Sequence, residues 1–247
     1  TIALAEYVAG SPENFTNLMN QTAQAIGMVN TKFANPDGLP GGEQYSTAKD
    51  MALLARSFIY NFPDVYEIYG QKSFEWEGIK QNNRNRLLYT FDGADGMKTG
   101  YTDAAGYCLI ASAQQDGERY ITVVLGTSSQ ALREQESSKL MRYALTKFEN
   151  VLLYKANTPI TVSADSISGA KAGSNITAVS SQNVYKTVPK SYIPHLKQGV
   201  VLDSNLRAPI KKGTTIGKVV VTINDGEETI ASAPVVAQTD IAKGGWW

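Results

Sequence analysis

Gly96-Met97-Lys98-Thr99-Gly100-Tyr101-Thr102 is the stretch that decides how this 247-residue chain is read. Lys-Thr-Gly alone is a weak signal: with 16 Lys, 20 Thr and 21 Gly, it arises by chance in roughly one such chain in ten. The surroundings give it meaning. Asp103-Ala104-Ala105-Gly106 reads as a turn, 107–111 as an apolar run, Asp116-Gly117 as a hairpin signal, and 120–125 as a second run. Leu132, Leu140, Met141, Ala144, Leu145 and Phe148 then recur at helical spacings. The pattern predicts three antiparallel strands closed by a long helix, with Lys-Thr-Gly on the first strand.

Such a strand has a chemical use. Lys98 offers an ammonium, Thr99 a hydroxyl donor, and Gly100 leaves the edge unobstructed for an extended peptide. A carboxylate at the end of that peptide would meet Lys98 and Thr99. The backbone N–H of Tyr101 would serve as half of an oxyanion hole. The plainer reading is a surface strand ending in a turn, where Lys and Thr are common.

Lys-Thr-Gly on such a strand resembles the third motif of penicillin-binding proteins and serine β-lactamases. More narrowly, the chain is similar to the low-molecular-mass D-alanyl-D-alanine carboxypeptidases of peptidase family S11. The matching stretches are Tyr45-Ser46-Thr47-Ala48-Lys49-Asp50-Met51-Ala52-Leu53, Asn83-Arg84-Asn85-Arg86-Leu87-Leu88, Asp95-Gly96-Met97-Lys98-Thr99-Gly100, and Ala105-Gly106-Tyr107. The resemblance implies an α/β (α+β) transpeptidase fold with an antiparallel sheet, followed by a small all-β domain. It implies a serine enzyme that removes the terminal D-Ala of peptidoglycan stem pentapeptides through an acyl-enzyme and is inhibited by β-lactams. No cofactor is implied. By the same likeness Lys98, Thr99 and Gly100 are catalytic, and Lys98, Thr99, Tyr101 and Arg133 bind substrate. Arg133 would grip the substrate carboxylate; as a helix-surface residue it would instead pair with Glu134 or Glu136. Tyr101 stands where relatives often carry His or Thr.

The same family orders its motifs as Ser-x-x-Lys, Ser-x-Asn, Lys-Thr-Gly, and only the third is convincingly placed here. Ser46-Thr47-Ala48-Lys49 fits the first pattern, but a Thr47-x-x-Asp50 capping box explains those residues structurally. Ser168-Gly169-Ala170-Lys171 and Ser181-Gln182-Asn183 follow Lys-Thr-Gly, in the wrong order. The resemblance therefore places the nucleophile, its lysine and the Ser-x-Asn residues upstream of Thr1. The opening, Thr1-Ile2-Ala3-Leu4-Ala5-Glu6-Tyr7, already follows a helical pattern, so the chain is read as a portion of a longer protein, inactive by itself.

Composition limits the alternatives. Basic and acidic residues balance at 23 each, which gives no nucleic-acid footprint, and 43% hydrophobic content is ample for a core. A single histidine, His195, argues against a His-based metal cluster and disfavours a Ser-His-Asp triad. The single cysteine, Cys108, sits in an apolar run and reads as a small buried hydrophobe.

Elsewhere, Ser11-Pro12 starts a helix with Phe15, Leu18, Met19, Thr22 and Ile26 on one face and Gly27 as its cap. The stretch 35–42 reads as loop. The helix after Thr47 turns Met51, Leu54 and Phe58 inward and ends at Asn61-Phe62-Pro63, and Phe74, Trp76 and Ile79 suit a short ribbon. Beyond Tyr154 helical patterns give way to short alternating runs at 160–162, 184–188 and 199–202. A hairpin of 218–223 with 228–231 follows, around Asn224-Asp225-Gly226. The expected division is 1–152 for the catalytic portion, 153–243 for the β domain and 244–247 for a tail. Trp246-Trp247 would begin an interfacial membrane anchor or be an exposed chain end. The resemblance implies a periplasmic location with an amphipathic inner-membrane anchor beyond the chain. Its implied partners are the stem pentapeptide, β-lactams and the N-terminal segment. A β-lactamase, and a non-catalytic wall-binding scaffold, are the rival readings.

Overall fold

The Lys-Thr-Gly stretch lies on an edge strand. The computed structural model describes residues 1–223 and 228–245 and divides into two units, Thr1–Thr146 and one beginning at Lys147. The turn expected at Asn224-Asp225-Gly226 and the Trp246-Trp247 pair fall outside the described residues.

In the first unit, helices α1 (Ile2–Ala9), α2 (Pro12–Ala25), α3 (Ala48–Asn61) and α4 (Pro63–Tyr66) lead to the ribbon β1 (Ser73–Trp76) and β2 (Ile79–Asn82). After the single turn α5 (Leu87–Thr90) come β3 (Ala94–Thr102), β4 (Gly106–Gln115), β5 (Glu118–Thr127) and α6 (Gln130–Lys147). The last three strands form an antiparallel sheet in the order β3-β4-β5, as the meander predicts. Asp116 and Gly117 both take positive φ, 51° and 81°, the geometry an Asp-Gly hairpin turn requires. Period-two alternation sends Leu109, Ala111 and Ala113 of β4 to one face, where they pack with Leu87 and with Met141 of α6.

The helices differ in detail from the pattern. Ser11 caps α2 by accepting from Asn14 N at 3.1 Å; the helix stops at Ala25, Ile26 is its C-cap, and Gly27 follows with φ 87°. In α3 the buried residues are Asp50, Ala55 and Ile59, while the expected Met51, Leu54 and Phe58 are only half-buried. Phe58 instead joins an aromatic group with Phe62, Tyr66 and Tyr69. In α6 the buried stripe is Arg133, Ser137 and Met141, and Leu140 is exposed. Phe148, expected on that helix, opens a strand instead.

The second unit is β-rich. Strands β6 (Phe148–Tyr154) and β9 (Val184–Pro189) pair with each other. The others are β7 (Ile160–Ser163), β8 (Asn175–Val179), β10 (Lys197–Leu202), β11 (Thr215–Ile223) and β12 (Glu228–Ala237). They form a five-stranded sheet in the order β10-β11-β12-β8-β7, over a core containing Ile216, Val219, Val221 and Val235. Short alternating runs mark β7, β9, β10, β11 and the start of β12 in the sequence; β6 and β8 carry no such mark.

Candidate active site

Among the described residues strand β3 pairs with β4 alone, so its other edge is open. Register sets Lys98 opposite Ile110, Gly100 opposite Cys108 and Tyr101 opposite Tyr107. The Tyr107 carbonyl accepts from Thr127 Oγ1 of β5 at 2.9 Å. A residue whose carbonyl turns to one neighbour does not hydrogen-bond the other, so Tyr101–Tyr107 is a non-hydrogen-bonded pair. By the same alternation the Tyr101 N–H points to the open edge.

A groove of about 1100 Å³ runs beside this edge, close to the upper end of the size range of ligand sites. Lys98, Thr99, Gly100, Tyr101 and Arg133 all line it. The Lys98 ammonium donates to the Thr99 carbonyl at 2.7 Å. Partial desolvation, and then the guanidinium groups of Arg84 and Arg133, lower its pKa from the usual lysine value. Among the described residues no acidic side chain forms an ion pair with Lys98, Arg84 or Arg133. Three cations meet without a counter-ion, which is an arrangement for holding an anion.

Arg133 does not pair with its helix neighbours. Glu134 faces Arg86 at 3.9 Å, and Glu136 faces Lys139 at 3.7 Å. Arg133 itself is 4% exposed and donates from Nη1 to the Gly100 carbonyl at 3.2 Å. Its buried Nε has no hydrogen-bond partner among the described residues. An unsatisfied buried donor on a charged group costs at least about 1–3 kcal/mol, a cost that a ligand oxygen would remove. Ser129 sets the helix start, its Oγ accepting from Leu132 N at 3.1 Å, and so fixes where Arg133 leaves the backbone.

Arg84 is the member that motif reasoning did not single out. Two asparagines hold it. Asn83 donates to the carbonyls of Tyr69 at 3.2 Å and Gln71 at 3.0 Å, while buried Asn85 donates to Gly96 O at 2.8 Å. The strand is braced further by Asp95, which binds Arg119 Nη1 at 2.6 Å and accepts from Tyr66 OH at 2.9 Å. Burial above all pushes the Tyr66 hydroxyl up to about 12, so it remains a donor.

The comparisons bear directly on this region. The family model for D-alanyl-D-alanine carboxypeptidase matches residues 1–129, and the model for the C-terminal domain of penicillin-binding protein 5 matches 148–243. The chain belongs to the D-alanyl-D-alanine carboxypeptidase family. Among curated members, D-alanyl-D-alanine carboxypeptidase DacC of Escherichia coli is 39% identical over 253 residues, all of this chain and 61% of that protein. Among solved structures, D-alanyl-D-alanine carboxypeptidase DacD from Francisella tularensis is 54% identical, with a TM-score of 0.82 over 98% of this chain and 71% of that one. Penicillin-binding protein 5 from Haemophilus influenzae is 36% identical, with a TM-score of 0.79 over 98% and 70%. The chain thus spans about three-fifths of the length of the curated carboxypeptidases it matches.

Within this chain the other serine patterns find structural uses. Ser46 Oγ lies 2.8 Å from Thr31 Oγ1, which donates to Asp50 Oδ2 at 2.7 Å. Thr47 Oγ1 caps α3 by accepting from Asp50 N, but the reciprocal half of the capping box is absent: the Asp50 carboxylate accepts from Asn30 N and Thr31 instead. Those bonds, Thr31 first, hold the Asp50 carboxyl below the usual range. Lys49 is exposed. Ser168, Lys171, Ser181 and Asn183 belong to the second unit, where Asn183 accepts from Ala156 N at 2.7 Å. Cys108, expected to be buried, is half-buried and lines the groove. No helix among the described residues is long and apolar enough to cross a membrane.

Proposed function

We propose that this chain supplies the carboxylate-binding wall of a serine-type D-Ala-D-Ala carboxypeptidase, with the nucleophile contributed by polypeptide that precedes it. The observation that carries the reading is the convergence of Lys98, Arg84 and Arg133 on an open strand edge with no acidic partner among the described residues. A stem pentapeptide laid against β3 gains main-chain hydrogen bonds, and Gly100 leaves it room. Its terminal carboxylate meets Lys98, the Thr99 hydroxyl and the Arg133 guanidinium. The serine Oγ attacks the penultimate D-Ala carbonyl, and the Tyr101 N–H is one donor to the developing oxyanion. The C–N bond breaks and the terminal D-Ala leaves with a proton on its amine. Water then hydrolyses the ester, frees the shortened peptide and restores the serine. A β-lactam presents a carboxylate beside a strained amide. Attack by the same serine opens the ring C–N bond and gives a ring-opened acyl ester, which retains the protonated amine and hydrolyses slowly. The family's work on the cell wall favours a periplasmic location, and a membrane anchor would lie beyond residue 247.

The test is made on the longer protein that contains this chain. Incubation with a penicillin should give a long-lived covalent adduct by mass spectrometry, and a D-Ala-D-Ala pentapeptide should release one D-Ala. Rapid penicillin turnover without a lasting adduct would mean a β-lactamase. A natively folded protein with no adduct and no D-Ala release would mean a non-catalytic scaffold.

A further inference from the structure

We infer that Tyr101 and Tyr107 are positioning residues for Arg133, two tilted rings in contact that steady its guanidinium without occupying the N–H groups a carboxylate needs. This rests on the carboxylate-binding reading above. The two tyrosines face each other across β3 and β4 as a non-hydrogen-bonded pair, the arrangement in which opposite side chains come closest. Their ring centroids are 4.3 Å apart at 35°. The outer ring is tethered, because Tyr101 OH donates to Asp103 Oδ1 at 2.7 Å. The inner ring meets the arginine, with Arg133 Cζ 5.5 Å from the Tyr107 centroid.

The chemistry explains why rings stand here and not a carboxylate. A guanidinium that is 4% exposed needs compensation for lost water. An Asp or Glu would give it, but would take up two of the five in-plane donors. An aromatic face attracts the cation from above the plane and leaves the donors free. Among the described residues the Gly100 carbonyl engages Nη1, and Nε has no partner. Tyr101 acts one step further out: its ring keeps Tyr107 from swinging into the groove that both residues line. This assigns work to a side chain whose motif position concerns only its backbone.

The experiment uses the longer protein that contains this chain and reads the ratio of the affinities of N-acetyl-D-Ala-D-Ala and of its C-terminal amide from their competition with acylation by a labelled penicillin. The wild-type protein should prefer the carboxylate. Tyr107→Leu should reduce that preference about tenfold, and Tyr107→Phe, which keeps the ring, should hold it within about twofold. Tyr101→Leu should lower it severalfold and Tyr101→Phe should not; because the Tyr101 ring is half-exposed, this pair serves even if Tyr107→Leu does not fold. A merely structural role would weaken both ligands equally. A wild-type preference that survives intact in both Leu variants, or a loss equal for acid and amide, overturns the inference alone. A wild-type protein with no carboxylate preference overturns the carboxylate-binding reading and this inference with it.

Discussion

Asn85 Nδ2 donates to the carbonyl oxygen of Gly96 at 2.8 Å, and the Asn85 side chain is almost wholly buried. The bond ties the segment carrying Arg84 to the strand carrying Lys98. Asn85 Oδ1 also accepts from Leu87 N at 3.2 Å, so one side chain fixes both the strand and the start of α5. Asn85→Ala leaves the Gly96 carbonyl and the Leu87 amide without their partner and is expected to destabilise the first unit by about 2 kcal/mol. Denaturant unfolding followed at both units' signals is the check: the loss should fall on the first unit, and peptide-carboxylate affinity should drop as Arg84 loosens.

Lys98 gives a pH dependence with a definite sign. Its folded-state pKa is lowered from 10.5, so between that lowered value and 10.5 the unfolded chain binds more protons than the folded one. Stability from this group therefore rises with pH through that window, while carboxylate affinity falls as the ammonium is lost. Removing a like charge favours the protonated form. Arg84→Gln should move the alkaline loss of peptide binding to higher pH, even as it weakens binding at neutral pH. An unmoved or lowered midpoint, measured by titration calorimetry across the alkaline range, would show that Arg84 does not act on Lys98.

Two glycines four residues apart should respond in opposite ways. A Cβ at Gly96 would collide with the Tyr66 hydroxyl, so Gly96→Ala should cost about 1–3 kcal/mol, relieved in part by adding Tyr66→Phe. A Cβ at Gly100 meets only Cys108 Cβ at 3.9 Å, an ordinary contact. Gly100→Ala should keep its melting temperature within a degree or two and yet bind an acyl-D-Ala-D-Ala peptide at least about tenfold more weakly, since the added methyl stands where the peptide passes. Equal binding by that variant would mean the ligand does not run along β3.

These outcomes separate what was legible in the chain from what was not. The meander around Lys-Thr-Gly could be read because strand alternation and an Asp-Gly turn are local signals, and they survive folding unchanged. Helix α6 and its buried Met141 are legible from apolar spacing, whereas Leu140, on the same pattern, is exposed. The other buried residues, Arg133 and Ser137, are polar, and apolar periodicity counts them as surface. The same blindness hid Asp50, which is buried because backbone and hydroxyl donors from residues 30 and 31 reach it. Arg84 stood in a recognised family stretch, yet its place at the groove depends on Asn83 and Asn85 bonding carbonyls far along the chain. Tertiary hydrogen bonds of that kind leave no mark on the pattern.

Ser46 offers a clean negative prediction. Its hydroxyl is engaged with Thr31 in the network around Asp50, and its motif partner Lys49 is exposed. In the longer protein, Ser46→Ala should still be acylated by penicillin at close to the normal rate. It should lose only about 0.5–1.5 kcal/mol of stability from the missing hydrogen bond. Abolished labelling in a folded Ser46→Ala protein would make Ser46 the nucleophile and overturn the assignment of that role to preceding polypeptide.

An open strand edge is indifferent to who pairs with it. The row of backbone groups along β3 that can receive a peptide can equally receive another copy of β3, the first step toward chains adding edge to edge into insoluble aggregates. Lys98, Arg84 and Arg133 oppose that step, because a second copy brings the same positive charges with it, whereas a ligand ending in a carboxylate brings the opposite one. High salt, by screening this mutual repulsion, should shorten the time for which the chain stays dispersed.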